Sequence, residues 1–264
     1  MRAVVGPGCV PGHGGEVGWA VRVGGMLEDA GLPFDAVLFD CDGVLVDSER
    51  ITNAVLRGML HELGWLVSEA DCFRLFVGRA LVDEVGVITA RTGFTVTDEW
   101  IAEFRRRRNE ALLLDLEAIP GAVAAAREID RAFGGRLACA SGADRPKIEL
   151  QLRKVGLDQV FAGKIFSGME MARSKPAPDV YLAAAAALGV DPARAAVVED
   201  TATGVRAGVA AGATVFGYCP AGSPAHHAPQ VLLEAGATHI FADMADLPGL
   251  LTRRSAPPLT ATAL

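Results

Sequence analysis

The sequence is poor in lysine and has no long apolar run. Only four of its 264 residues are lysine, at positions 147, 154, 164 and 175. No apolar stretch approaches the roughly 20 residues that a membrane-spanning helix needs, so we expect no contact with a membrane. The net charge of −7 argues against a broad surface for nucleic acid, because such surfaces are basic.

Cysteine is also scarce. The five cysteines, at positions 9, 41, 72, 139 and 219, form no Cys-x-x-Cys pair. We interpret Cys41 and Cys139 as small buried hydrophobic residues and expect the protein to work in a reducing cytoplasm. The hydrophobic share of 51% is sufficient for one sizeable core and a smaller second domain.

Two carboxylates end the apolar run that begins at Val37. Asp40 and Asp42 are two residues apart and are followed by Gly43. A short apolar run of this kind is typical of a buried strand in a parallel sheet, and ligands bind beyond the carboxyl ends of such strands. One carboxylate could act as a nucleophile and the other could carry a proton. Paired acids also cap helices or line surface turns, and this interpretation has about equal weight at this point.

Three further segments offer polar groups after apolar runs or in a constrained loop. Ser141 and Gly142 end one run and could hold phosphate oxygens through a hydroxyl and backbone amides, although an ordinary strand and turn would look the same. Lys175 lies in a proline-bracketed loop, where most lysines are solvated. Glu199 and Asp200 end another apolar run. Together these segments supply carboxylates, a hydroxyl and an ammonium group.

The four segments, in this order, resemble the motifs of the haloacid dehalogenase superfamily of phosphotransferases, over roughly residues 35 to 250. The resemblance implies an α/β fold, with a Rossmann-like doubly wound parallel sheet as the core and an inserted all-helical cap domain. Strands are expected near 35–40, 136–141, 164–166, 195–199 and 213–217, with a further one at 239–241.

The resemblance also implies a role for each motif residue. Asp40 would be the nucleophile that forms an aspartyl phosphate, and Asp42 would be the general acid and then the general base. Gly43, Ser141, Gly142 and Lys175 would bind the phosphoryl group. Mg²⁺ would be held by Asp40, by the backbone carbonyl of Asp42, by Asp200, and by Glu199 directly or through water.

About a hundred residues separate the first two motifs, far more than the dozen or so that a crossover between parallel strands requires. This length predicts an inserted domain at 49–118, with helices at 49–63, 68–76, 81–92 and 98–114, and it resembles the helical cap of the beta-phosphoglucomutase-like branch. The core would comprise 34–48 and 119–252. Residues 1–33 are expected to form a disordered extension and 253–264 a flexible tail.

The expected function is that of a magnesium-dependent phosphatase. Its substrate would be a small phosphorylated metabolite, either a sugar phosphate or a sugar-acid phosphate, because several segments resemble bacterial 6-phosphogluconate phosphatases. Arg79 is the residue expected to contact the distal end of the substrate, unless it only caps a helix or pairs with an acid. A sugar phosphomutase and a non-enzymatic binding protein with this fold remain alternatives, although mutases of the branch carry a histidine where this chain has Thr52. A monomer is favoured.

Two further patterns are interpreted as surface features. Residues 105–108 are four consecutive arginines in a predicted helix, so their side chains point around most of its circumference and are expected to be mostly solvated. His226 and His227 are adjacent, and neighbouring residues rarely point at one ion. We therefore expect both histidines to be exposed to solvent.

Overall fold

The structure, a computed structural model, describes residues 32–76, 81–222 and 226–253. The predicted N-terminal extension and C-terminal tail lie almost entirely outside these ranges, as does Arg79. Among the described helices, none has both the length and the apolar character that crossing a bilayer requires.

A six-stranded parallel sheet forms the centre of the fold, as predicted. Its strands are β1 (Ala36–Phe39), β2 (Leu137–Ser141), β3 (Ile165–Ser167), β4 (Ala195–Glu199), β5 (Thr214–Tyr218) and β6 (His239–Phe241). The spatial order is β3-β2-β1-β4-β5-β6, so β1 is central and pairs with β2 and β4. All residues of β1, β2 and β4 are buried, which explains their continuous apolar runs.

Ten α-helices are present in the described ranges. They are α1 (Glu49–Glu62), α2 (Glu69–Phe76), α3 (Val85–Thr92), α4 (Asp98–Asp115), α5 (Ala122–Ala132), α6 (Arg145–Lys154), α7 (Asp179–Ala187), α8 (Ala202–Ala210), α9 (Pro229–Ala235) and α10 (Leu247–Thr252). One apolar cluster joins α5, α6 and α10 to one face of the sheet. A second cluster joins α7, α8 and α9 to the other face, so the sheet is covered on both sides.

Helices α1 to α4 lie between β1 and β2 in the chain and have an apolar cluster of their own. Leu60 and Ile88 are fully buried in it, beside Cys72 and Phe104. The predicted helix 81–92 is interrupted, because residues 81–83 form a 3₁₀ turn before α3. Helix α4 starts at Asp98 as predicted, but the capping side chain is that of Thr97, which accepts a hydrogen bond from the Trp100 amide at 3.3 Å. The assignment of 49–118 as a separate domain stays a prediction.

Helix α8 packs closely on the sheet because it carries a glycine at the contact. A β-carbon at Gly208 would lie 2.9 Å from Val215 Cγ2 and 3.1 Å from Val197 Cγ1. Gly58, in contrast, lies on an exposed part of α1 and has no atom within 4 Å of the position of its absent β-carbon. A larger side chain would therefore clash with the sheet at position 208 but would meet no atom at position 58.

We expect Gly208→Val to lower the free energy of unfolding by about 1–3 kcal/mol through overpacking. Gly58→Ala, the matched control, should raise it by about 0.5–1 kcal/mol, because alanine loses less backbone entropy in a helix. Urea unfolding measures both changes in the free energy of unfolding, provided that the m value is the same for the variants and wild type. A stable Gly208→Val variant would contradict the tight packing of α8 on β4 and β5.

Candidate active site

The predicted site residues meet at the carboxyl ends of neighbouring strands. Asp40 directly follows β1, Ser141 is the last residue of β2, and Glu199 and Asp200 end and follow β4. Because β1 lies between β2 and β4, the parallel arrangement brings all three strand ends to one edge. Lys175 reaches the same place from the loop between β3 and α7.

Lys175 links two of the carboxylates. Its Nζ lies 2.7 Å from Asp40 Oδ1 and 2.7 Å from Glu199 Oε1, and it donates to the Tyr181 hydroxyl at 3.0 Å. Burial alone would lower the pKa of Lys175, but the charges of Asp40 and Glu199 hold it well above its ordinary value. Lys175 is therefore a fixed positive charge in the site. Sequence reasoning missed Tyr181, whose signal is an aromatic residue in the otherwise alanine-rich α7.

Glu199 is held on both of its oxygens. Oε1 accepts hydrogen bonds from Lys175 and from the Tyr181 hydroxyl at 2.9 Å. Oε2 accepts from the backbone amides of Asp200 and Thr201 and from the Thr201 hydroxyl, at 3.0–3.1 Å. A β-carbon at Gly204 would overlap the Glu199 carboxylate, so this glycine makes room for it at the start of α8.

Asp42 has a separate set of partners. Its Oδ1 receives Lys147 Nζ at 2.7 Å, Gln151 Nε2 at 2.7 Å and the Ser48 hydroxyl. Burial by itself raises the pKa of Asp42, but the charge of Lys147 and the three hydrogen bonds lower it to about 2. Sequence reasoning missed these partners. The available signal was the four-residue spacing of Lys147 and Gln151, which places both on one face of α6.

The remaining predicted phosphate-binding residues lie in the same place. Ser141 is buried, and its Oγ accepts a hydrogen bond from the Ala143 amide at 3.2 Å. Gly142 lines the cavity beside it. Gly43 has φ +75°, and a β-carbon there would overlap the Asp200 carboxylate. Only glycine fits this position, because it tolerates both the left-handed conformation and the close approach.

A metal ion fits the acidic cluster of Asp40, Glu199 and Asp200, whose carboxylate oxygens lie within 4.8 Å of one another. Asp200 Oδ1 is buried without a hydrogen-bond partner among the described residues. Burial, together with the charges of Glu199 and Asp40, raises the pKa of Asp200 well above its usual range. Burial also raises the pKa of Asp40. The charge of Lys175 opposes this effect, but the charges of Glu199 and Asp42 add to it, and the pKa of Asp40 is raised to about 7. When all three carboxylates are ionised, the single lysine leaves two negative charges, which a divalent ion with oxygen ligands would offset.

A cavity of about 180 Å³ extends from these residues toward α1 to α4. Its inner end is polar and contains Asp40, Asp42, Ser141, Lys147 and Lys175. Its outer wall combines apolar side chains with polar ones. The apolar residues are Leu56, Phe76, Leu81, Val82, Ile101, Phe104 and Met169, and the polar ones are Glu49, Thr52 and Asn53 of α1 with Arg105 and Arg108 of α4. The cavity thus has a charged end where chemistry could occur and a less polar end that contacts the rest of a ligand.

The interpretation of the arginine run as mostly solvated is wrong for Arg108. This residue is 5% exposed, because α4 turns it toward the cavity, and it pairs with Asp144 Oδ2 at 3.0 Å. Arg106 and Arg107 behave as expected and pair with Glu103 at the surface of α4. The prediction for Arg79 stays untested, since that residue lies outside the described ranges.

The expectation that His226 and His227 are exposed is also wrong. The His226 side chain is 5% exposed, and its Nε2 lies 2.8 Å from the Gly43 carbonyl oxygen and 3.8 Å from Asp200 Oδ2. His227 Nδ1 accepts a hydrogen bond from the Ala202 amide at 3.1 Å, at the first residue of α8. Both histidines therefore contact the backbone around the acidic cluster. The sequence could not reveal these contacts, because the histidines are far along the chain from Gly43 and Ala202.

Comparison with known proteins gives a consistent set of relatives. The family of haloacid dehalogenase-like hydrolases matches residues 34–212. The 6-phosphogluconate phosphatase of Escherichia coli (strain K12) is 33% identical over 187 residues, covering 70% of this chain and 82% of the relative. The plasmid phosphoglycolate phosphatase of Cupriavidus necator is 30% identical over 231 residues, covering 84% and 94%. A crystal structure of a HAD family hydrolase from Deinococcus radiodurans R1, with bound phosphate and sodium, is 34% identical with a TM-score of 0.67 and covers 85% of this chain and 100% of that one.

We expect Mg²⁺ to stabilise the wild-type protein against heat but not the Asp200→Asn variant. Magnesium at about 100 times its Kd adds about 2.7 kcal/mol to the free energy of unfolding. In chelator, the variant should unfold at the same or a higher temperature, because it lacks one of the mutually repelling carboxylates. Differential scanning calorimetry in Mg²⁺ and in chelator measures both effects. An equal rise for the two proteins would exclude Asp200 as a ligand.

Proposed function

The chain belongs to the haloacid dehalogenase-like hydrolase family and is a phosphatase, and from this premise we propose that it hydrolyses small phosphorylated metabolites through a phosphorylated Asp40, with Mg²⁺ as cofactor. The resemblance drawn from the four sequence motifs is thereby confirmed at the level of the family. The residue roles, the cofactor and the substrate class are the content of the proposal.

The observation that carries the proposal is the environment of Asp40. The Asp40 side chain is 10% exposed at the end of the central strand, and its Oδ1 is bound by Lys175 Nζ at 2.7 Å. Lys175 and the nearby Ser141 could also bind the oxygens of a phosphoryl group, which offsets charge in the transition state. This environment supports the proposal that Asp40 is the carboxylate that attacks phosphorus.

In the proposed reaction, Asp40 forms a bond to phosphorus as the bond from phosphorus to the ester oxygen breaks. The departing oxygen keeps the electron pair and takes a proton from Asp42. A water molecule then attacks the phosphorus and gives a proton to Asp42, while the bond between phosphorus and the Asp40 oxygen breaks. The electron pair returns to the Asp40 carboxylate, and phosphate leaves. Asp42 is ionised when Lys147 is its main charged neighbour, and an arriving phosphate dianion would raise the pKa of Asp42 and so favour its protonation.

Mg²⁺ would be held by Asp40, Asp200 and the backbone carbonyl of Asp42, and when bound it would offset negative charge at the phosphoryl group. Glu199 has all its described hydrogen bonds to Lys175, Tyr181 and the start of α8. This arrangement favours an indirect role for Glu199, through water or through its hold on Lys175. The orphaned oxygen of Asp200 supports a direct role for that residue.

The substrate class follows from the cavity. A volume of about 180 Å³ suits a small metabolite. Helices α1, α2 and α4 and the turn at 81–83, which we propose as part of a cap over the core, supply most of the outer wall of the cavity. Arg108 and Arg105 share the acidic partner Asp144, at 3.0 and 3.9 Å. One net positive charge remains at this end of the cavity, which would suit a sugar-acid phosphate. The names of the two phosphatase relatives, which refer to phosphogluconate and phosphoglycolate, support the same class.

We expect the wild-type protein to release phosphate from at least one sugar phosphate, sugar-acid phosphate or phosphoglycolate in Mg²⁺ but not in chelator. Asp40→Asn should reduce this release by more than the 10²–10³-fold typical of losing one stabilising donor, because it removes the nucleophile. Asp115→Asn, the same change at an exposed position at the end of α4, is the matched control and should keep full activity. A colorimetric phosphate assay measures all three proteins.

Two outcomes would contradict the proposal. Undiminished release by a folded Asp40→Asn protein would exclude Asp40 as nucleophile. Release that requires an added sugar as phosphoryl acceptor would instead support a mutase, for which the residue at Thr52 is not the expected histidine.

A further inference from the structure

We propose that Lys147 is a positioning residue, which fixes the carboxylate of Asp42 in the orientation needed for proton transfer. The inference rests on the proposed function, because it concerns the acid and base step of that reaction. It adds a residue that none of the four motifs contains.

The contacts of Asp42 support this role. Lys147 Nζ, Gln151 Nε2 and the Ser48 hydroxyl all donate to the same oxygen, Oδ1. The side chains of Lys147 and Asp42 are 8% and 13% exposed, so solvent screens their attraction only weakly. With Oδ1 saturated by three donors, Oδ2 is the oxygen that can exchange a proton with the substrate.

Lys147 is itself held in place by the fold. It lies in the first turn of α6, where its amide donates to Asp144 Oδ1 at 3.1 Å. The following residues Ile148 and Leu152 are fully buried against the sheet, so the helix is anchored. A positioning residue must be rigid to restrict its partner, and this lysine meets that condition.

The lysine also separates the duties of the two carboxylates. Asp40 is paired with Lys175 and Asp42 with Lys147, at 2.7 Å in each case. Two acids that are two residues apart would otherwise compete for one cation. With separate partners, the nucleophile and the proton carrier can be oriented independently, each toward its own atom of the substrate.

The leaving group distinguishes positioning from general structural support. An alkoxide needs a proton as it departs, whereas a nitrophenolate is stable without one. If Lys147 orients Asp42, then Lys147→Met should lower kcat/KM for an alkyl phosphate by at least about tenfold, which is part of the 10²–10⁴-fold that a positioned proton donor contributes. The loss for p-nitrophenyl phosphate should be several-fold smaller.

The experiment compares Lys147→Met and Lys147→Arg with wild type on two esters. One is p-nitrophenyl phosphate, and the other is whichever sugar phosphate, sugar-acid phosphate or phosphoglycolate wild type hydrolyses best. Lys147→Arg keeps the charge and the donor and should recover most of the difference between the two esters. Lys154→Met is the matched control on the same helix, because Lys154 Nζ contacts the carbonyl oxygens of Leu113 and Leu114 and not the site. A crystal structure of Lys147→Met should show the Asp42 carboxylate reoriented.

The inference is overturned if Lys147→Met slows both esters equally, or if Asp42 keeps its orientation in the crystal structure of the variant. These results leave the proposed function intact, since wild type would still release phosphate. If wild type hydrolyses neither ester, the proposed function fails, and the crystal structure alone then decides whether Lys147 fixes Asp42.

Discussion

The arrangement depends on placing Asp40, Asp42, Glu199 and Asp200 together at one end of a buried sheet. Carboxylates removed from water are strongly destabilising unless cations or hydrogen bonds offset their charge. Asp40 and Glu199 share Lys175, Asp42 has its own group of donors, and Asp200 keeps one oxygen without a described partner. The features around them, including the glycines that allow close approach, follow from this requirement.

The sequence predicted the parts of this arrangement that are local in the chain. Asp40, Ser141 and Glu199 each end an apolar run, and strand order places these ends together, so motif and topology were sufficient. The sequence carries only weak signals for Tyr181 and Gln151 and none for His226. Their roles depend on which helix face or loop packs against the strand ends. Gln151 and His226 are 109 and 183 residues from their partners Asp42 and Gly43, and the pattern around each of the three residues is also typical of an ordinary helix or loop.

The cavity is lined by two different parts of the chain, the strand ends and the helices between β1 and β2. The strand ends supply the charged groups, whose positions are fixed by the sheet. Helices α1, α2 and α4 and the turn at 81–83 supply most of the outer wall, which would contact the portion of the ligand that does not react. Arg108 on α4 and Asp144 at the start of α6 connect the two parts through an ion pair of 3.0 Å. Asp144 also accepts the hydrogen bond from the Lys147 amide, so a movement of α4 would alter the surroundings of Lys147.

The scarcity of lysine has a practical consequence for handling the protein. Lys147 and Lys175 are buried in ion pairs at the site, whereas Lys154 is exposed and Lys164 is partly so. Among the lysines, amine-reactive dyes or activated resins would therefore couple mainly with Lys154 and Lys164, neither of which lines the cavity. The same chemistry that attaches the protein to a support would leave its interior amines unmodified.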